Sequence, residues 1–174
     1  VSLCAEPIYP GPRGGAPATW VPRRLGVLVS CRGNHLRVLL EACAAGTLPA
    51  AVVDVVANHR AVPALDIAAE YGVAATAIPS AGCPSRLAQQ RQMAAFLDAA
   101  DAHLIVCVGF DRVLEAEICE HYLGRIISLH PSLLPAFGGS LHAVADALAY
   151  GVKVTGVTAH FVTTDIDAGP IILQ

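Results

Sequence analysis

The sequence is short of charge and has no run of it. Lys and Arg number 11 and Asp and Glu 14 among 174 residues, so 14% of the chain is charged and the formal net charge is −3. Binding to phosphate backbones needs clustered Lys or Arg, so no nucleic-acid partner is expected. No apolar stretch reaches the ~20 residues that span a bilayer, and no membrane partner is expected either. The first residues (VSLCAEPIYPGPRGG) lack the basic start and apolar core of a secretory signal. The six cysteines, Cys4, Cys31, Cys43, Cys83, Cys107 and Cys119, form no C-x-x-C pair. Structural zinc uses closely paired thiols or imidazoles, and His35, His59, His121 and His142 show no metal-ligand spacing. No metal is implied, and the expected setting is reducing and cytoplasmic.

What the chain does have is apolar residues, 55% of the total, enough to fill a substantial core. Residues 1–22, rich in Pro and Gly with no apolar period, read as a flexible leader outside the fold. From Arg24 onward, short β-branched runs alternate with Ala/Leu segments, the pattern of β-α-β units on a parallel sheet. Strands are expected at Leu25–Ser30, Ala51–Ala57, Val73–Ala77, His103–Val108, Arg125–Leu129 and Val152–Val162, with a last apolar run at Pro170–Gln174. Helices are expected at Leu36–Ala45, Val62–Tyr71, Pro84–Ala100, Glu115–His121 and Leu141–Tyr150. The fold class is α/β, a doubly wound and mostly parallel sheet flanked by helices, and such folds bind ligands at the carboxyl ends of their strands. That rule nominates four loops: Cys31–His35, Gly109–Leu114, His130–Ser140 and Thr163–Gly169.

Three of these loops carry groups suited to chemistry. The turn Ser30-Cys31-Arg32-Gly33-Asn34-His35 leads from a strand into a helix, where exposed N–H groups and the helix dipole favour a phosphate. An ordinary βα turn would read the same way, since neither the Rossmann nor the P-loop spacing is met. Strand alternation puts Ser128 and His130 on one side, with His130 at the strand's end, where an imidazole is well placed as a general base. A carboxylate beside that imidazole would fix its tautomer, and Asp165 and Asp167 in the acidic loop are equal candidates on local sequence. His160, mid-strand among apolar residues, reads as a structural histidine with its bonds satisfied.

The stretches RLGVLVS, VGFDRVL, GRIISLHPSLLPAF, GVKVTGVTAHFV and DIDAGPIILQ, in this order, resemble the phosphoribosylglycinamide formyltransferase family from about Arg24 to Gln174. The resemblance implies a 10-formyltetrahydrofolate donor, used as a cosubstrate, and a phosphorylated amine, glycinamide ribonucleotide, as acceptor in purine biosynthesis. It implies that His130 is the active-site histidine and Asp167 the carboxylate that tunes it, with Ser128 beside them in the catalytic group. Gly33, Asn34 and His35 would hold the substrate phosphate. Arg86, Asp111, Arg112, Val113 and Leu114 would line the folate site, with Thr163, Thr164, Asp165 and Ile166 as its other wall. Expected partners are these small molecules, in a monomer or homodimer.

The chain also departs from the family pattern. Where the family reads Asn-x-His-Pro, this sequence has Ser128, and Asp111 stands where the family has an apolar Met. Cys31 replaces a Gly and His35 an Asn in the phosphate loop, and Val144 takes the place of a second His. Family members also continue through a further C-terminal helix that this sequence does not contain. A paralogue acting on another amine, a formyltetrahydrofolate hydrolase and a non-catalytic folate-binding homologue share the fold. The hydrolases also read Thr-Ala-His-Phe-Val, as here at 158–162, but carry an added regulatory domain. Methionyl-tRNA formyltransferases carry an Arg-Gly loop and a tRNA-binding domain that are absent here.

Overall fold

A computed structural model describes residues 23–174, so the expected leader at 1–22 lies outside the described residues. Strands buried on both faces read as unbroken apolar runs, and β1 (Arg23–Val29) is one, buried from Leu25 to its end. Its side chains alternate between two cores. Val27 and Val29 pack with Leu36 and Leu40 of α1 (Asn34–Ala44) and Ile67 of α2 (Pro63–Glu70). Leu28 packs on the opposite face with Met93 and Leu97 of α3 (Arg86–Ala99) and Ile118 of α4 (Ala116–His121). Truncating a buried leucine such as Leu97 to alanine costs about 2–5 kcal/mol. Gly26 is required where β1 meets this second core, since a Cβ there would lie 2.6 Å from Leu97 Cδ2.

The remaining elements are β2 (Ala50–Ala57), β3 (Ala75–Ala77), β4 (Leu104–Cys107), β5 (Ile126–His130), α5 (Ala143–Tyr150), β6 (Thr158–Phe161) and β7 (Ile171–Leu173). The seven strands form one sheet in the order β3-β2-β1-β4-β5-β6-β7. The pairs from β3 to β5 are parallel, whereas β6 and β7 join antiparallel. The chain steps one way from β1 to β3 and then crosses to β4, so the loops after β1 and β4 part at the carboxyl edge and leave a crevice.

Element boundaries differ from expectation where local chemistry decides them. The first helix begins at Asn34, because Gly33 takes a left-handed φ of 77° and turns the chain at once. The third begins at Arg86, because Ser85 Oγ accepts the Ala88 N–H at 3.0 Å and caps it. The largest correction concerns the strand expected over Val152–Val162, which is a strand only at Thr158–Phe161. Gly151 ends α5 at φ 83°. Gly156 then passes so close to Leu133 that a Cβ would lie 2.8 Å from its Cδ2, and Val154 and Val157 face solvent. The β-branched residues there signalled a strand, but the segment has no neighbour to pair with in the sheet.

Candidate active site

A cavity of about 520 Å³ opens at the carboxyl edge of β1, β4 and β5. Ser30 and Cys31 line one end, Gly109–Leu114 one wall, and Ser128, His130, His160, Thr163 and the Asp165–Asp167 segment the other. Its size suits a drug-sized ligand.

His130 is the last residue of β5 and is 6% exposed. Its Nε2 donates to the Phe137 carbonyl at 3.0 Å, which fixes the ring. Its Nδ1 lies 3.2 Å from Oδ2 of Asp167. Asp167 sits in the left-handed region at φ 51°, and its Oδ2 also accepts the Gly139 N–H at 2.8 Å, so loop and imidazole hold the carboxylate from two sides. Local sequence left Asp165 and Asp167 equal. In the fold it is Asp167 that meets His130, while the backbone carbonyl of Asp165 accepts from Thr163 Oγ1 within the turn.

His160 corrects a sequence reading. Its Nδ1 donates to the Phe161 carbonyl at 3.0 Å, but its buried Nε2 has no hydrogen-bond partner among the described residues. That nitrogen lies 3.6 Å from Oδ1 of Asp167, opposite the oxygen facing His130. The antiparallel register of β5 and β6, which pairs Ser128 with His160 and His130 with Thr158, brings it there. Directly opposed residues share a face of a sheet. Period-two alternation could have placed His160 on one side of its strand, but not the strand beside β5.

The opposite wall is organised around Asp111. Its Oδ1 accepts from Asn58 Nδ2 at 2.7 Å, its Oδ2 lies 3.3 Å from His59 Nε2, and its N–H donates to Ser30 Oγ at 2.9 Å. Arg112 Nε stands 3.5 Å away. Partial burial pushes this carboxyl up, but the bonds to Asn58, Ser30 and His59 and the Arg112 charge together hold it below its ordinary value. The network ties the loops after β1, β2 and β4 together at the crevice; Asn58 and His59 were not singled out from sequence. Farther in, burial pushes the Cys107 thiol up to about 12, so it stays neutral and unreactive in the wall.

The other nominated residues divide. Val113, Leu114, Thr163 and Ile166 line the cavity, and Thr164 does not. Arg86 lies outside the lining, paired to Glu115. Gly33, Asn34 and His35 stand just past the lining residues Ser30 and Cys31, at the start of α1. Among the described residues no side chain caps that helix, and uncapped first-turn N–H groups suit an anion. Gly33 is tightly fitted, since a Cβ would lie 2.8 Å from the Ala64 Cα.

The family model described as formyl transferase matches residues 23–174. The chain is 46% identical over 153 residues to a phosphoribosylglycinamide formyltransferase of Mycobacterium tuberculosis, covering 88% of this chain and 70% of the relative. It is 34% identical over 148 residues to the Escherichia coli protein of the same name, covering 85% and 69%. The crystal structure of glycinamide ribonucleotide transformylase 1 from Symbiobacterium toebii superposes with a TM-score of 0.85 at 40% identity, covering 88% of this chain and 72% of that one.

Proposed function

This chain belongs to the formyl transferase family, and we propose that it passes a formyl group from 10-formyltetrahydrofolate to the amine of glycinamide ribonucleotide, a step of purine biosynthesis. The observation that carries this reading is the buried His130, held by Phe137 and facing Asp167, in the wall of a cavity large enough for substrate.

The residues divide the work by place. The first-turn N–H groups of α1, at Gly33, Asn34 and His35, receive the acceptor's phosphate. The folate lies between the Asp111–Leu114 wall, which lines the cavity throughout, and the Thr163–Ile166 wall, which lines it except at Thr164. Arg86 stays at the margin, held by Glu115. The two substrates then meet beside Ser128 and His130. The amine nitrogen attacks the formyl carbon, and the carbonyl oxygen becomes an oxyanion. The carbon–N10 bond then breaks. In the balance the acceptor nitrogen gives up a proton and N10 gains one, so no outside acid or oxidant is needed. His130 and Asp167 together, acting through a water, manage that proton and stabilise the oxyanion. Ser128 lines the cavity beside His130. Most of the acceleration comes from holding two reactants in register.

Product identity tests the reading. With both substrates supplied, formylated glycinamide ribonucleotide and tetrahydrofolate should accumulate in equal amounts. Formate appearing in place of the formylated amine would replace the transferase reading with hydrolysis.

A further inference from the structure

The loop after β4 is bonded directly to the turn after β1. The Ser30 N–H donates to the Gly109 carbonyl at 3.1 Å, Cys31 Sγ to the same carbonyl at 3.5 Å, and the Asp111 N–H to Ser30 Oγ at 2.9 Å. In the sheet, β4 lies between β1 and β5. An acceptor whose phosphate rests on the start of α1 and whose amine reaches His130 therefore crosses the carboxyl end of β4, over Gly109–Asp111. In glycinamide ribonucleotide the part between phosphate and amine is the sugar, with its vicinal hydroxyls. Hydroxyls are donors that a carboxylate accepts in short, charge-assisted bonds.

Asp111 is held in a state fit to accept there. It begins the folate wall, but its carboxylate bonds to the loop after β2 rather than to Val113 or Leu114. Asn58, itself 2% exposed, gives its Nδ2 to Oδ1 at 2.7 Å, and His59 Nε2 stands 3.3 Å from Oδ2. A carboxylate offers about four acceptor sites. These contacts and Arg112 beside Oδ1 leave capacity unused, and the side chain is still 43% exposed. The same contacts hold the carboxyl below its ordinary value, so it presents acceptors and no proton. The other carboxylates of the cavity lining, Asp165 and Asp167, lie across it on the loop between β6 and β7.

We infer that Asp111 is a specificity-determining residue for the acceptor, its carboxylate taking hydrogen bonds from the sugar hydroxyls that lie between phosphate and amine. The inference rests on the transferase reading for the identity of that acceptor. It belongs to this chain in particular, because the family has an apolar Met at this position, and a thioether is a weak acceptor.

Calorimetric binding to the full chain tests it, with glycinamide ribonucleotide and its 2′-deoxy and 3′-deoxy analogues as probes. The parent protein should bind the ribonucleotide about tenfold or more tighter than at least one deoxy analogue. In Asp111→Met that preference should shrink to about twofold or less, because the ribonucleotide loses affinity and the analogue does not. A loss spread equally over all three probes is what mere damage to the loop would give, and it overturns the inference. So does a preference that survives in Asp111→Met. The comparison of probes on the parent protein needs no variant, so it stands if that variant fails to fold. Equal affinity for all three probes, or binding of none, overturns the inference there. A hydroxyl preference in a protein that formylates no amine would sink the transferase reading and leave the role of Asp111 standing.

Discussion

Oδ2 of Asp167 lies 3.2 Å from His130 Nδ1 and 2.8 Å from the Gly139 N–H, so one carboxylate oxygen anchors both the imidazole and the loop that follows it. Removing either side chain should therefore harm chemistry more than binding. His130→Ala is expected to lower kcat by about 10²–10⁴, with smaller changes in the KM of either substrate. Steady-state kinetics with each substrate varied in turn check this. A large rise in KM at unchanged kcat would move His130 from chemistry to binding.

Ser128 gives a prediction of gain. It lines the cavity two residues before His130, on a strand that supplies no side-chain amide. An oxyanion-hole donor is worth about 10²–10³ in rate, and serine is too short to reach as far as asparagine. Ser128→Asn is expected to raise kcat by about tenfold or more, read in the same assay. A fall in kcat would mean that the pocket is fitted to serine.

Gly33 is expected to tolerate no side chain. Its φ is 77°, and a Cβ would meet the Ala64 Cα at 2.8 Å. Gly33→Ala should lower Tm by several degrees and raise the KM for the phosphorylated acceptor more than that for the folate. Equal effects on both would argue against a phosphate at the start of α1.

Two carboxylates should give opposite pH dependences of stability. Asp54 is buried in β2 with Oδ1 unpartnered, and desolvation by burial raises its pKa, against a smaller lowering by a backbone bond at Val55. Its cost is absent below the ordinary carboxylate value and grows as pH rises from there through the raised folded value. Asp54→Asn should therefore raise Tm by a few degrees at neutral pH and much less in acid. Asp111 is the reverse, its folded value being lowered by the Asn58, Ser30, His59 and Arg112 contacts that outweigh burial. Its stabilisation is fully present above the ordinary carboxylate value and is lost as pH falls through the lowered one. Asp111→Asn should lower Tm at neutral pH, with the difference fading in acid. Melting curves across pH for both variants, each against the parent, test the signs.

Much of this molecule is legible in its sequence, because parallel strands write themselves as apolar runs. LGVLVS and the run ending at Ser128-Leu129-His130 mark β1 and β5 and, with them, the loops that line the cavity. What the sequence hides is whatever depends on which strands become neighbours. Val152–Val162 has the composition of one strand, yet only Thr158–Phe161 finds a partner. The antiparallel turn of β6 against β5 then sets His160 beside Asp167, a juxtaposition that strand alternation alone does not contain. Asp111 shows the same limit. Its identity was visible, but its bonds to Asn58 and His59 arise because β1 brings the ends of β2 and β4 to one crevice.

The most direct test is to incubate the protein with 10-formyltetrahydrofolate, with and without glycinamide ribonucleotide, and follow loss of the formyl group. The account predicts loss that requires the amine and collapses in Asp167→Ala. Loss at the same rate without the amine, or unchanged loss in that variant, would contradict it.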